Sequence, residues 1–450
     1  MGPGQGDEDD DDGQDHEAAD EVQLEVTGVI AVVREFTEYT SLPEALEILR
    51  NNTQVSRRRE SVPLGLSSGR VLYRDIVSEY DIPPRDNSHM DGFAVLSSDL
   101  SLASPSSPVK LRKVDGPALG DVPRRPLKKG EAHTVLTGGF IPTGADTVVQ
   151  AEMVEADSDF VTFSNAAEKG EFVYSRGMDV KKGETVLGAG RILRGTDLVL
   201  IGSLHMEMVP VYSRPRVAII PTGNELSEKI GATEPGKVAE THSFLLSRLI
   251  EGAGAIPVQM PIARDDADEI RQSIKVALRA ADIVLTVAGS SVSETDVTDD
   301  AINAFGKPGV LVHGMKVTRG RVMGFGVAKG KAVIILPGPI QGALNAFTVM
   351  GYPLIRAFLG RGFESPPSIP AVMAKDWDAG KRFRTFTKVV YVKTNTDGPA
   401  VTVEPSYGET ENVTFLTRND GYLILGEDTV VLKKGDPVRV HLLPGLSNLS

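Results

Sequence analysis

The chain has 450 residues, 41% of them hydrophobic and 24% charged, with no cysteine and a formal net charge of −13. The absence of cysteine rules out disulfides, thiol catalysis and cysteine-ligated zinc or iron–sulfur centres, and no run reaches the roughly 18 apolar residues that a membrane-spanning helix needs. The length predicts about three domains of ~150 residues, and the acidic balance without any long Lys/Arg run argues against a nucleic-acid partner, so a cytoplasmic multidomain enzyme with no membrane partner is the expectation.

The charge is unevenly placed. Residues 1–21 hold ten acids and no base, which predicts a disordered acidic tail and leaves about −3 on the rest of the chain. Residues 22–36 read equally well as an extended segment or as linker. Ser41 ahead of Leu42-Pro43-Glu44 and apolar residues at helical spacing predicts an N-capped helix with a carboxylate at its third position. From 62 to 173 a Gly- or Pro-containing turn recurs every eight to twelve residues, the pattern of a β-rich domain. Two loops there are dense in Asp, Ser, Thr and Gly, residues 83–95 (PPRDNSHMDGFAV) and 137–147 (TGGFIPTGADT), and each alone reads as a hairpin turn. Gly177-Met178-Asp179-Val180 and Gly183-Glu184 follow, then a predicted helix over 197–204.

Between 213 and 360 three stretches share one grammar, a short β-branched apolar run that breaks into a turn with a polar or acidic residue behind it. They are 217–223 (VAIIPTG, then Asn224-Glu225), 283–293 (IVLTVAGSSVS, then Glu294-Thr295-Asp296) and 333–338 (VIILPG, then Pro339-Ile340-Gln341-Gly342). Such runs predict buried parallel strands, and 243–252 and 266–281 between them have helical periodicity. In an open α/β sheet, ligands bind in the crevice beyond the carboxyl ends of the strands, where helix N-termini attract anions. The expected site therefore takes an anion, with carboxylates at its rim able to hold a divalent cation. No complete P-loop or dinucleotide fingerprint occurs at these strand ends. From 368 onward, runs at 386–393, 400–404, 422–425 and 438–443 predict a small β-barrel or sandwich. Trp377, the single tryptophan, is expected to anchor that unit to its linker, and His89 and His313 read as surface and structural histidines.

Six segments in order, 88–95 (SHMDGFAV), 136–149 (LTGGFIPTGADTVV), 177–190, 216–226 (RVAIIPTGNEL), 282–296 and 331–343, resemble the molybdopterin molybdenumtransferase family, MoeA in bacteria and archaea and the E domain of gephyrin in animals. The resemblance covers about residues 40–445 and suggests an archaeal or divergent bacterial member. It implies a fold of class α/β plus β: a multidomain elongated chain with a central three-layer α/β molybdopterin-binding domain (213–360), a β-rich domain carrying the MDG loop (76–180), an elongated linker domain (22–75 and 181–212) and a C-terminal β-barrel (365–445). It further implies a transferase that cleaves adenylylated molybdopterin, releases AMP and inserts molybdate or tungstate at the dithiolene, assisted by magnesium or zinc. The family is an elongated homodimer whose active site lies across the interface, so acidic loops from two domains can meet in one site.

Carried onto this chain, the resemblance assigns Asp91, Thr137, Asp179, Glu225 and Asp296 to catalysis and Glu225, Asp265 and Asp296 to the metal, with Asp266 equally suited to the place of Asp265. Substrate contacts fall to Ser88, Thr222, Gly223, Gly289, Ser290, Ser291 and Ser293, and to Arg319, Arg321, Pro337 and Gly338. Asp296 and Asp265 also have structural readings, as a first-turn carboxylate and as a helix N-cap. Departures from the family pattern concentrate here. SGGxSxGxxD is read as AGSSVSETD, one residue short; PGNPVS is PGPIQG; the Asp of TGDEL is Asn224; and the basic KPGK-type loop is Thr318-Arg319-Gly320-Arg321. An altered oxyanion preference and a non-catalytic pterin-binding or scaffold paralogue both fit these changes.

Overall fold

Alternation along three strands divides the side chains of the central sheet between two cores. The computed structural model describes residues 39–116, 119–229, 231, 235–288, 297–381, 383–409 and 412–443; the acidic tail and the 22–36 segment lie outside them. Arg216–Pro221, Ile283–Val287 and Lys331–Leu336 are neighbours in a six-stranded sheet, flanked by Ile256–Gln259 on one side and by Gly324–Ala328 and Gly309–His313 on the other. The first four of these strands in space run parallel; Gly324–Ala328 runs antiparallel to both its neighbours, so Gly309–His313 again points the same way as the first four. Successive side chains on a strand point to opposite faces. Val217, Ile219, Leu285, Ile334 and Leu336 therefore pack against the helix His242–Gly252 and the helical run Ile340–Ala346, Phe347–Gly351 and Tyr352–Phe358. Ala218, Ile220, Val284, Val333 and Ile335 pack against Ala267–Ala280 and Val297–Asn303.

The helix Leu42–Asn52 adds Ala45 and Leu49 to the first of these cores. Its start follows the sequence, with the Ser41 hydroxyl accepting the Glu44 N–H at 3.4 Å. Arg59–Pro63 pairs with Met208–Tyr212 and Ile76–Val77 with Thr185–Leu187, and with the helix Gly195–Ser203 they enclose Val62, Leu72, Ile76, Ile201 and Val209. The chain between the two halves of this unit forms a second six-stranded sheet, in the order Thr147–Gln150, Gly92–Val95, Glu131–Val135, Val109–Val114, Phe160–Phe163, Val154–Ala156. Phe93 and Val95 face one small core of it and Ala94 the other.

Five strands close the C-terminal barrel: Ile369–Met373, Thr402–Pro405, Lys388–Asn395, Gly421–Leu425 and Pro437–Leu442. The sequence predicts four of them with ends shifted by a residue or two; Ile369–Met373 closes the ring. Val390, Val392, Val403, Leu423 and Val440 fill the barrel, while Val389, Tyr391, Phe415 and Tyr422 point outward into the first core of the α/β domain. Among the described residues no helix is long and apolar enough to cross a membrane.

Candidate functional site: a strand-end crevice and an adjoining cleft

Helices that follow neighbouring strands leave on opposite faces. His242–Gly252, after Arg216–Pro221, packs into one core, and Val297–Asn303, after Ile283–Val287, into the other. That divergence opens a crevice at the carboxyl ends of the two strands. Thr222 ties them together there, with its N–H and its hydroxyl donating to the Val287 carbonyl at 2.9 and 3.0 Å. Thr222 is fully buried, so it shapes the crevice floor rather than offering its hydroxyl to a ligand. Ala288 follows at φ +66, a backbone conformation costly for a residue with a Cβ and concentrated at functional sites. Gly289, Ser290, Ser291, Ser293 and Asp296 lie outside the described residues. Across from Ala288 stands Gly338, whose carbonyl accepts a hydrogen bond from His242 Nε2 at 2.8 Å. A carbonyl can only accept, so His242 carries a proton on Nε2, and burial pulls its pKa below its ordinary value.

Gly223 allows the next feature. A Cβ there would lie 2.6 Å from the Glu225 carboxylate, so only glycine lets that exposed side chain fold back over the end of its own strand. Asn224 and Asp265 form a reciprocal clasp, Asn224 N–H donating to Asp265 Oδ2 at 3.1 Å and Asp265 N–H to Asn224 Oδ1 at 3.4 Å. The Asn at 224 thus suits its place, since a second carboxylate there would face Asp265. Asp266, not Asp265, is the helix N-cap, accepting the Glu269 N–H at 2.9 Å. Of the two candidates only Asp265 is left beside the Glu225 loop. Among the described residues no three His, Asp or Glu side chains converge closely enough to hold a metal ion.

A cleft of about 610 Å³ lies where the α/β domain meets the barrel. Arg319, Arg321 and Pro337 line one side of it, and Trp377, Lys388, Tyr391 and residues 406–409 the other. Trp377 belongs to the barrel core and its strand pairs with Leu432, so it forms cleft wall rather than anchoring a linker. Lys388 is buried and donates to the carbonyls of Arg384, Gly426 and Glu427 at 2.8, 3.3 and 2.7 Å. Its ammonium is committed to holding that wall together.

The MDG loop is built from close backbone approach. A Cβ on Gly92 would lie 2.0 Å from the Val149 carbonyl oxygen, because Gly92 is paired on both sides, with Val135 and Gln150. Asp91 Oδ1 accepts the N–H and the hydroxyl of Thr137 at 2.6 and 2.8 Å. These bonds, the backbone one foremost, hold the Asp91 carboxyl below its ordinary pKa. Ser88 is buried and its hydroxyl donates to the Met90 carbonyl, a turn-forming role. Asp179 is exposed and its N–H donates to the Ile82 carbonyl at 3.0 Å. The strand pair Asn87–Ser88 with Val173–Tyr174 joins the loop before Asp179 to the MDG loop. Asp91 and Thr137 are thus in direct contact and Asp179 sits on a neighbouring loop of the same domain, apart from the crevice.

Comparison with known proteins adds two family matches: the MoeA N-terminal region (domain I and II) over residues 40–204 and a probable molybdopterin binding domain over residues 218–357. A Mycobacterium tuberculosis protein named molybdopterin molybdenumtransferase 2 is 31% identical over 386 residues, covering 84% of this chain and 94% of its own length. A Staphylococcus aureus molybdopterin molybdenumtransferase is 29% identical over 355 residues, 79% of this chain and 84% of its own. The crystal structure of a molybdopterin biosynthesis MoeA protein from Pyrococcus horikoshii superposes with a TM-score of 0.76 at 29% identity, covering 90% of this chain and 100% of that one.

Proposed function

The chain belongs to the molybdopterin molybdenumtransferase family, and from that premise we propose that it acts in molybdenum cofactor biosynthesis, inserting molybdate or tungstate into adenylylated molybdopterin with release of AMP. The observation that carries this reading is that crevice and cleft meet at one turn. Pro337 lines the cleft and Gly338 abuts Ala288 at the crevice lip, so a substrate with several anionic groups can span both. Cleaving a phosphoanhydride demands neutralised phosphate charge and fixed geometry more than covalent catalysis. Arg319 and Arg321 supply charge suited to oxyanions.

Magnesium keeps several waters and takes one or two protein carboxylates. The exposed Glu225 carboxylate over Gly223, with Asp265 clasped beside its loop, fits that demand; zinc, which favours nitrogen and sulfur ligands, fits it less well. When bound, the cation would offset charge on the substrate phosphates. Asp91, Thr137 and Asp179 would join the site from a second copy of the chain, a homodimer with the active site across its interface. Their grouping on loops of another domain supports that arrangement.

Anaerobic incubation with adenylylated molybdopterin, magnesium and molybdate or tungstate tests the reading. AMP release that depends on the oxyanion and is lost in Glu225→Ala is the expected outcome. Tight pterin binding without AMP release would overturn it and mark a pterin-binding paralogue.

A further inference from the structure

The family pattern has a proline where this chain has Arg319, and PGNPVS where it has PGPIQG. The two departures meet in space. Arg319 stands at φ +57, half-buried on the cleft wall, with its guanidinium 5.1 Å from the centre of the Phe415 ring and Nη1 donating to Gln341 Oε1 at 2.6 Å. Both neighbours are uncharged, and the Glu409 carboxylate acts on Arg319 only through space. The guanidinium thus keeps its charge in a place where burial penalises it, the environment in which an incoming anion gains most.

Gln341 is 0% exposed. Its amide Nε2 donates to the Glu409 carbonyl at 2.8 Å and to the Asn412 carbonyl at 3.4 Å. These partners fix which way the amide points: reversed, its nitrogen would face the guanidinium and its oxygen two carbonyls. One side chain therefore fastens a cation on the α/β wall of the cleft to the backbone of the barrel wall opposite. An arginine on a free loop would lose rotamer entropy each time it captured an anion, and here that ordering is already complete.

We infer that Arg319 is an oxyanion-binding residue of the cleft and that Gln341 is its positioning residue, aimed at the phosphate-bearing part of the substrate. Only the identity of the substrate rests on the proposed transferase activity; the binding of an anion does not. With one guanidinium N–H given to Gln341 and one face to Phe415, the remaining N–H groups are available for a two-pronged contact with a phosphate or metal oxyanion.

Trp377 provides the readout, because the only tryptophan in the chain lines the same cleft. Titration of the full-length protein with inorganic pyrophosphate should change its fluorescence saturably. Gln341→Met should raise the apparent Kd about tenfold, the scale of one lost hydrogen bond to a charged group. Gln341→Glu keeps the contact with Arg319 but places a carboxylate on it, and should weaken binding further; Arg319→Met should weaken it at least as much as Gln341→Met. In the AMP-release assay Gln341→Met should raise KM while leaving kcat within about twofold, a split that loss of folded protein would not produce. Should Gln341→Met fail to fold, the half-exposed Arg319→Met decides the matter. The inference is overturned if wild type shows no saturable response, or if folded Arg319→Met or Gln341→Glu binds pyrophosphate as wild type does. Unchanged pyrophosphate affinity in variants of an enzyme that releases AMP would refute the inference alone. Variant-sensitive binding in a protein that releases none would refute the transferase alone.

Discussion

Two residues of the MDG loop separate what a backbone demands from what chemistry demands. Gly92 is required by space, since any side chain would strike the Val149 carbonyl. Gly92→Ala is expected to destabilise the β-rich domain by about 3 kcal/mol or more, the range of strain and overpacking at a closely paired strand, read as a lowered urea midpoint. Asp91 is different, because its carboxylate is exposed while its pKa is depressed by Thr137. In an NMR pH titration Asp91 should ionise below its reference value of 3.8. In Thr137→Val it should ionise at a higher pH than in wild type but still below that reference, since the backbone donor remains when the hydroxyl is gone. Any stability drawn from this contact is present above the unfolded pKa and is lost as pH falls through the lowered folded one. Asp91, Thr137 and Glu225 can be singled out in the sequence because they sit inside recognisable turns. His242 and Gln341 cannot, because His242 meets Gly338 across 96 positions and Gln341 meets Glu409 across 68, and no local pattern announces such partners.

Helices and central strands were legible because their signals are local. Ile270, Ile274, Ala277 and Leu278 are buried at helical spacing on Ala267–Ala280, and the three apolar runs became adjacent parallel strands. Asp266 caps that helix, and Asp266→Ala should cost about 1 kcal/mol, measured by thermal or denaturant unfolding; Asp265→Ala, with no capping bond to lose, should instead loosen the Asn224 loop and leave the helix intact. The strands that escaped notice break the composition rules. Gly324–Ala328 has glycine at two of its five positions, and a Cβ on Gly324 would lie 2.4 Å from the Val312 carbonyl, so close pairing with Gly309–His313 keeps a side chain out there and weakens the strand's signal. Ile369–Met373 contains Pro370, which argues for an edge in an open sheet, and the closing of the barrel around it could not be foreseen from its five residues.

Composition shifts suggest where units of the chain begin and end, but nothing local announces how those units dock. The insertion of the β-rich domain into the linker unit depends on Arg59–Pro63 meeting Met208–Tyr212 across the whole intervening chain. A dimer-spanning site makes its own prediction. Asp91→Asn and Glu225→Gln variants, each inactive alone, should regain about a quarter of wild-type AMP release when unfolded and refolded together, because half the dimers are then mixed and each mixed dimer has one intact site. No recovery on mixing would place both residues in the same subunit's site or leave one of them outside catalysis.

The barrel's outward-facing Val389, Tyr391, Phe415 and Tyr422 lie in the same apolar core as the α/β helices, and Tyr391 donates to Asn345 at 2.8 Å within it. For genetics this means that the C-terminal 80 or so residues cannot be treated as a removable appendage. A truncation or a missense allele there would strip the cover from the α/β layer. A growth screen for cofactor-dependent enzymes would then score it as a lost active site, although every residue of the crevice was still encoded.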